Sequence, residues 1–127
     1  MSYKIQWEPK GVLLDYSGSV DIDDFDNAYV ELMESNKFDE LRYIINNFLD
    51  INAIEFDLDD IDKRVHFMKA MEKSNDSISF VTVSNNQDVL AFAGIIEVGL
   101  LESSWSCELF SSIGETREWI GKKHPGV

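Results

Sequence analysis

The chain has 127 residues, 44% of them hydrophobic and 28% charged, the make-up of one globular domain with a real core. Its 24 acidic against 11 basic residues leave a formal charge of −13. Such a surface repels phosphate backbones and anionic headgroups, so nucleic acid and anionic membranes are not expected partners. The single cysteine, Cys107, excludes an internal disulfide framework.

The opening MSYKIQWEPKG (1–11) has no apolar core, arginine-rich stretch or cleavage pattern of a targeting segment. YKIQWE (3–8) alternates and reads as a strand, with Tyr3, Ile5 and Trp7 on one face. EPKG (8–11) places Pro9 and Gly11 where a β-turn wants them, and GVLLDYSG (11–18) is the return strand of a hairpin. A helix is predicted over 21–35, with Ile22, Phe25, Tyr29, Leu32 and Met33 in one stripe. LRYIINNFLD (41–50) reads as a strand carrying two asparagines in its middle. A second helix covers 57–74, with Leu58, Ile61, Val65 and Met68 aligned.

ISFVTVS (78–84) is nearly continuous in apolar and β-branched residues, as in a strand covered on both faces. A third helix spans 85–103, a last strand 105–112 and a final short helix 113–123. The longest apolar run, Val89 to Ile96, is far too short to span a bilayer, so no integral membrane segment is expected. With the absent targeting segment and lone cysteine, this makes a cytoplasmic protein the expectation. The order β-β-α-β-α-β-α-β-α implies one α/β domain over 1–127, with a mostly parallel sheet entered by an N-terminal hairpin.

Two acidic hexamers, DIDDFD (21–26) and DLDDID (57–62), invite a calcium reading. An EF-hand loop wants oxygen ligands at positions one, three and five, glycine at six and glutamate at twelve. Counting from Asp57 gives Ile61, Asp62 and Met68 at the last three of these, and counting from Asp21 gives Phe25, Asp26 and Leu32. Helix starts fit better. Asp21 and Asp57 serve as N-caps, with Asp24 and Asp60 at the third helical position, where the helix dipole favours negative charge. Val20 with Phe25, and Phe56 with Ile61, occupy the two positions of a hydrophobic staple. Asn36 and Asn75, after the two helices, suit left-handed caps.

Catalytic chemistry finds little purchase. His66 and His124 stand alone, without ligand spacing for zinc. Cys107 alternates with Trp105 and Leu109 and reads as a structural thiol. The glycines have no phosphate-loop spacing, and Ser112 with Glu115 forms a capping box. No enzyme activity, cofactor or metal is expected.

Two features ask for more. Asn46 and Asn47 point to opposite faces of a strand, so one faces a helix layer where an unpaired amide is costly. Either it is satisfied internally, or Asn47 with Asp50 forms a polar anchor at a strand's carboxyl end, where open α/β sheets place ligands. The helix 86–101 is apolar around its whole axis, interrupted after Val89 only by Glu97. Either neighbouring helices cover it, or its outer face meets another subunit, an apolar ligand or a membrane, the last least favoured by the charge.

KFDELRYIINNFLDI (37–51), KSNDSISFVTV (73–83) and SSWSCELFSSIGETREWI (103–120) resemble a bacterial family of small SpoIIAA-like proteins of the STAS/SEC14-like group. Its relatives in fold are the anti-anti-sigma factors and the lipid-binding CRAL-TRIO domain. The markers Phe38, Leu41, Arg42, Phe110 and Trp119 are mostly packing residues. The resemblance implies a four- or five-stranded mixed sheet with about four helices. Partner-switching members carry a phosphorylatable serine, normally after an aspartate, at the start of the helix following the third strand. The comparable stretch here, LDINAIEFD (49–57), keeps Asp50, but no serine or threonine occurs from Ile44 to Lys73. No phosphosite is carried over.

The expectation is a non-enzymatic SpoIIAA-like domain acting through protein contact as a homodimer, with Phe92, Ile95, Ile96 and Leu100 at the interface. The alternative is a carrier or sensor of a small apolar or lipid-like ligand, held by Asn47, Asp50, Phe92 and Ile96.

Overall fold

Strand β1 (Tyr3–Glu8) turns back into β2 (Gly11–Asp21), and the chain then alternates helices and strands. These are α1 (Ile22–Glu34), β3 (Tyr43–Glu55), α2 (Leu58–Glu72), β4 (Ser79–Val83), α3 (Gln87–Gly99), β5 (Ser106–Phe110) and α4 (Ile113–Lys123). The computed structural model describes residues 2–126. The five strands lie in the order β1-β2-β3-β4-β5, with β1 antiparallel to β2 and every later pair parallel. The mixed α/β sheet expected from the element order is present, and no helix is long and apolar enough to cross a membrane.

The strand order decides where the helices go. Each parallel crossover steps one strand further in the same direction, so crossovers of one hand place their helices on one face. Accordingly α1, α2 and α3 share a core with Val12, Leu14, Ile44, Phe48 and Phe80. Helix α4, the last element, lies on the opposite face, where Ile120 packs with Tyr43, Ile45, Val81 and Val83. All five residues of β4 are buried, as a strand sandwiched between α4 and the three-helix layer must be.

Both acidic hexamers start helices. Asp21 Oδ1 accepts from the Asp24 amide at 2.9 Å, and Asp24 Oδ2 from the Asp21 amide at 3.1 Å. Asp57 and Asp60 repeat this at 2.9 and 3.0 Å. Each is a reciprocal capping box in which aspartate takes the place usually held by glutamate. The helix ends differ from expectation. Among the described residues no non-glycine has a positive φ, so Asn36 and Asn75 are not left-handed caps. Asn75 instead donates to the carbonyls of Phe38 and Leu41 at 2.9 and 2.8 Å, tying the end of α2 to the turn before β3.

Strands β2 and β3 run further than their sequences announce. Past Asn47, β3 pairs only with β2, and two register shifts bend this ribbon beyond the rest of the sheet. Gly18, at φ +69°, sits at the second shift and supplies a backbone conformation that L side chains rarely adopt.

Candidate functional site

The carboxyl ends of β3 and β4 meet the first turns of α1, α2 and α3 around an apolar pocket. Its walls include Phe25 from α1, Ile61 from α2, Val89, Phe92 and Ala93 from α3, and Phe56 from the segment entering α2. The aromatic rings pack on one another, Phe56 lying 5.9 Å from Phe25 and 5.6 Å from Phe92 between centroids. The cavity volume is about 30 Å³. Topology gives the reason. Ligand crevices in α/β sheets open where the strand order reverses and neighbouring helices part to opposite faces. This sheet never reverses, so the three helices crowd together at its carboxyl end and leave only a small opening.

Two polar side chains form the floor. Asn46 is fully buried: its Oδ1 accepts from the Tyr29 hydroxyl at 2.5 Å, and its Nδ2 donates to the Val81 carbonyl at 2.9 Å. Burial pushes the Tyr29 phenol well above the usual tyrosine range, so at neutral pH it is a fixed donor. Thr82 is also buried against the pocket. Arg64 reaches the rim and is anchored by Asp26, its Nε donating to Oδ1 at 2.8 Å and its Nη2 to Oδ2.

The residues expected to bind a ligand do not converge. Phe92 and Ile96 line the pocket, but Asn47 faces the α4 side of the sheet. There its Nδ2 donates to Asp15 Oδ1 at 3.0 Å and its Oδ1 accepts from the Leu49 amide at 3.1 Å. Asp50 stands exposed on the β2–β3 ribbon. The polar group that does meet Phe92 and Ile96 is Asn46. A carrier's pocket needs roughly 300–1,000 Å³, against about 30 Å³ here.

The interface residues divide as well. Ile96 and Leu100 point inward, 6% and 3% exposed, and Phe92 is half-buried in the pocket. The outward stripe is Ala91, Ile95 and Val98 of α3, continued by Leu101 in the turn after it, with the last three 38%, 68% and 73% exposed. Helical spacing produces both stripes, and because both are apolar the sequence does not say which is inside.

Two polar clusters on the α4 side join residues remote in sequence. Arg117 grips the Glu8 carboxylate with two bonds of 2.6 Å, and the Tyr43 hydroxyl donates to the same carboxylate. Arg117 holds the Glu8 pKa below its ordinary value, opposed by burial and helped by Tyr43. The Tyr43 phenol is pushed up to about 12, by burial first and then by Glu8. Next to it along the same row of strand partners, where Ser79 pairs with Tyr43 and Ser106 with Ser79, Ser106 Oγ donates to Ser79 Oγ at 2.9 Å, which lies 2.9 Å from His124 Nε2. Ser79 is 1% exposed, too enclosed for a substrate to approach its hydroxyl. The Cys107 thiol, half-buried, is pushed up to about 11 by burial and then by Glu97 and Glu108, and is protonated at neutral pH. Among the described residues no group of three or more His, Cys, Asp or Glu side chains is placed to hold a metal ion.

No protein-family model and no curated protein matches the chain. Among solved structures it is similar to the crystal structure of an uncharacterised protein of the DUF3478 family with a SpoIIAA-like fold from Shewanella loihica PV-4. The TM-score is 0.56, and the match covers 92% of this chain and 90% of that one at 9% identity. Identity so low bears on architecture alone. The chain has a SpoIIAA-like fold, as the resemblance in its packing segments implied.

Proposed function

We propose that this chain is a non-enzymatic protein–protein interaction module that acts as a homodimer, joined through the outer face of α3 and the free edge of β5. The observation that carries the reading is the uncovered apolar stripe of Ile95 and Val98 on α3, continued by Leu101 just past its end, opposite the buried Val89 and Ile96. Side chains of this kind grouped on one helix face mark an interaction surface more often than a solvated one. Strand β5 supplies the other half of the proposed interface. It pairs only with β4 and is an edge of the sheet, and it carries Leu109, also exposed, on the same face as the core-packed Cys107. An unpaired strand edge and an uncovered apolar helix face are both surfaces of the kind a two-fold axis uses.

The charge works against self-association, since each copy is strongly negative. The stripe itself holds no charge except at its margins, Glu97 and Glu102. Dimerisation therefore strengthens with added salt, which screens the repulsion and leaves the apolar contact intact. Sedimentation velocity over a range of concentrations tests the reading. Wild type is expected to dimerise, and Val98→Asp and Leu101→Asp, both surface changes that leave the core alone, are expected to be monomers. A wild type that stays monomeric at every concentration overturns it.

A further inference from the structure

The inner side of α3 carries a second surface, independent of the dimer face. The pocket among α1, α2 and α3 is walled by Phe25, Phe56 and Phe92, and the chain segments that form its mouth are rich in acidic residues. Asp23, Glu55, Asp57, Asp59 and Asp88 are exposed, and each lies within two residues of a side chain that lines the pocket. Of the nearby cations, Arg64 is neutralised by Asp26, which leaves Lys63. The three helix N-termini add roughly half a positive charge each, less than two carboxylates' worth, and the caps Asp21, Asp57 and Asn86 already take one or two first-turn amides of each. The surroundings of the mouth are net negative, and the pocket opens to solvent past the half-buried Phe92.

Size selects the occupant. A volume of about 30 Å³ excludes a lipid or a drug-sized molecule but admits the end of one side chain. Small, well-packed pockets with aromatic walls are where a partner's anchor residue binds, and the surrounding charges set orientation and on-rate. We propose that this rim docks a basic segment of a partner protein, which seats one apolar side chain in the pocket beside Phe56 and Phe92 while its flanking Lys and Arg meet the acidic rim.

The test is selection of a random linear peptide library, displayed on phage, against the immobilised full chain. The expected winners share one apolar residue, whose tip the pocket can hold, flanked by Lys or Arg. Their synthetic forms are expected to lose at least about tenfold in affinity against Ala93→Leu, because Ala93 forms part of the pocket wall and the larger side chain fills it. Ala91→Leu, on the outer face of the same helix, leaves binding unchanged, and Asp59→Asn weakens it and flattens its salt dependence. Amide shifts in wild-type protein provide a readout that needs no variant, and they should centre on Phe56, Phe92 and Ala93. Selection of no basic–apolar consensus overturns the proposal, as do binding that survives Ala93→Leu and shifts centred elsewhere. Ala93→Leu leaves the oligomeric state unaltered, so this site and the dimer face stand or fall separately.

Discussion

Tyr29→Phe removes one oxygen atom from the centre of the three-helix layer, and its cost follows from what that atom does. The hydroxyl is the donor to Asn46 Oδ1 at 2.5 Å, and both residues are out of contact with solvent. The ring keeps its packing, 4.6 Å from Phe25 and 6.3 Å from Phe80 between centroids, so little apolar burial is lost. What remains is a buried amide oxygen without a donor, which costs about 2 kcal/mol. For a chain of 127 residues the unfolding entropy makes that a fall in Tm of about 7 °C. Urea unfolding followed by circular dichroism measures the free energy directly. The double variant Tyr29→Phe with Asn46→Leu, which removes both partners, is expected to cost at least about 1 kcal/mol less than the sum of the single changes. A Tyr29→Phe protein within about 0.5 kcal/mol of wild type refutes the reasoning, because Asn46 would then have another source of satisfaction.

Three further outcomes follow from the geometry. Gly11→Ala places a Cβ 2.0 Å from the Tyr43 ring, which Glu8 holds from its far end, so overpacking should destabilise by roughly 1–3 kcal/mol in the same assay. Glu8 is depressed in the folded state, so its stabilisation is complete above the ordinary glutamate pKa and fades as pH falls through the lowered folded value. The stability gap between wild type and Glu8→Gln should therefore be widest near neutrality and close in acid; a gap that is constant with pH contradicts the Arg117 pairing as its source. Cys107, pushed up to about 11, should react with iodoacetamide at neutral pH far more slowly than a free thiol and accelerate as the solution is made alkaline; rapid labelling at neutral pH contradicts the assignment.

Local signals in the sequence were enough to place the elements. The caps Asp21 and Asp57, the staples beside them and the alternation in YKIQWE concern neighbours a few residues apart, and the strands and helices fall where those signals put them. Strands β2 and β3 outran their predicted ends because Gly18 and the two register shifts interrupt the alternation from which strand length is read. The division of faces was less legible. A strand pattern says that Asn46 and Asn47 point opposite ways, but only the single-direction crossovers say which face receives three helices, and so Asn46 rather than Asn47 meets Phe92 and Ile96. An evenly apolar α3 likewise gives no hint that Ile96 and Leu100 go in while Val98 and Leu101 stay out. Contacts such as Arg117 with Glu8, and His124 with Ser79, join residues far apart in the chain, and no local pattern announces them.

The central claim is that the outer face of α3 joins two copies of the chain. Light scattering on the column eluate of wild type, beside Val98→Asp, tests it most directly. The account predicts twice the 14.6 kDa chain mass for wild type, held more firmly as salt is raised, and a single chain mass for the variant. A single chain mass for both proteins at high concentration and high salt contradicts it.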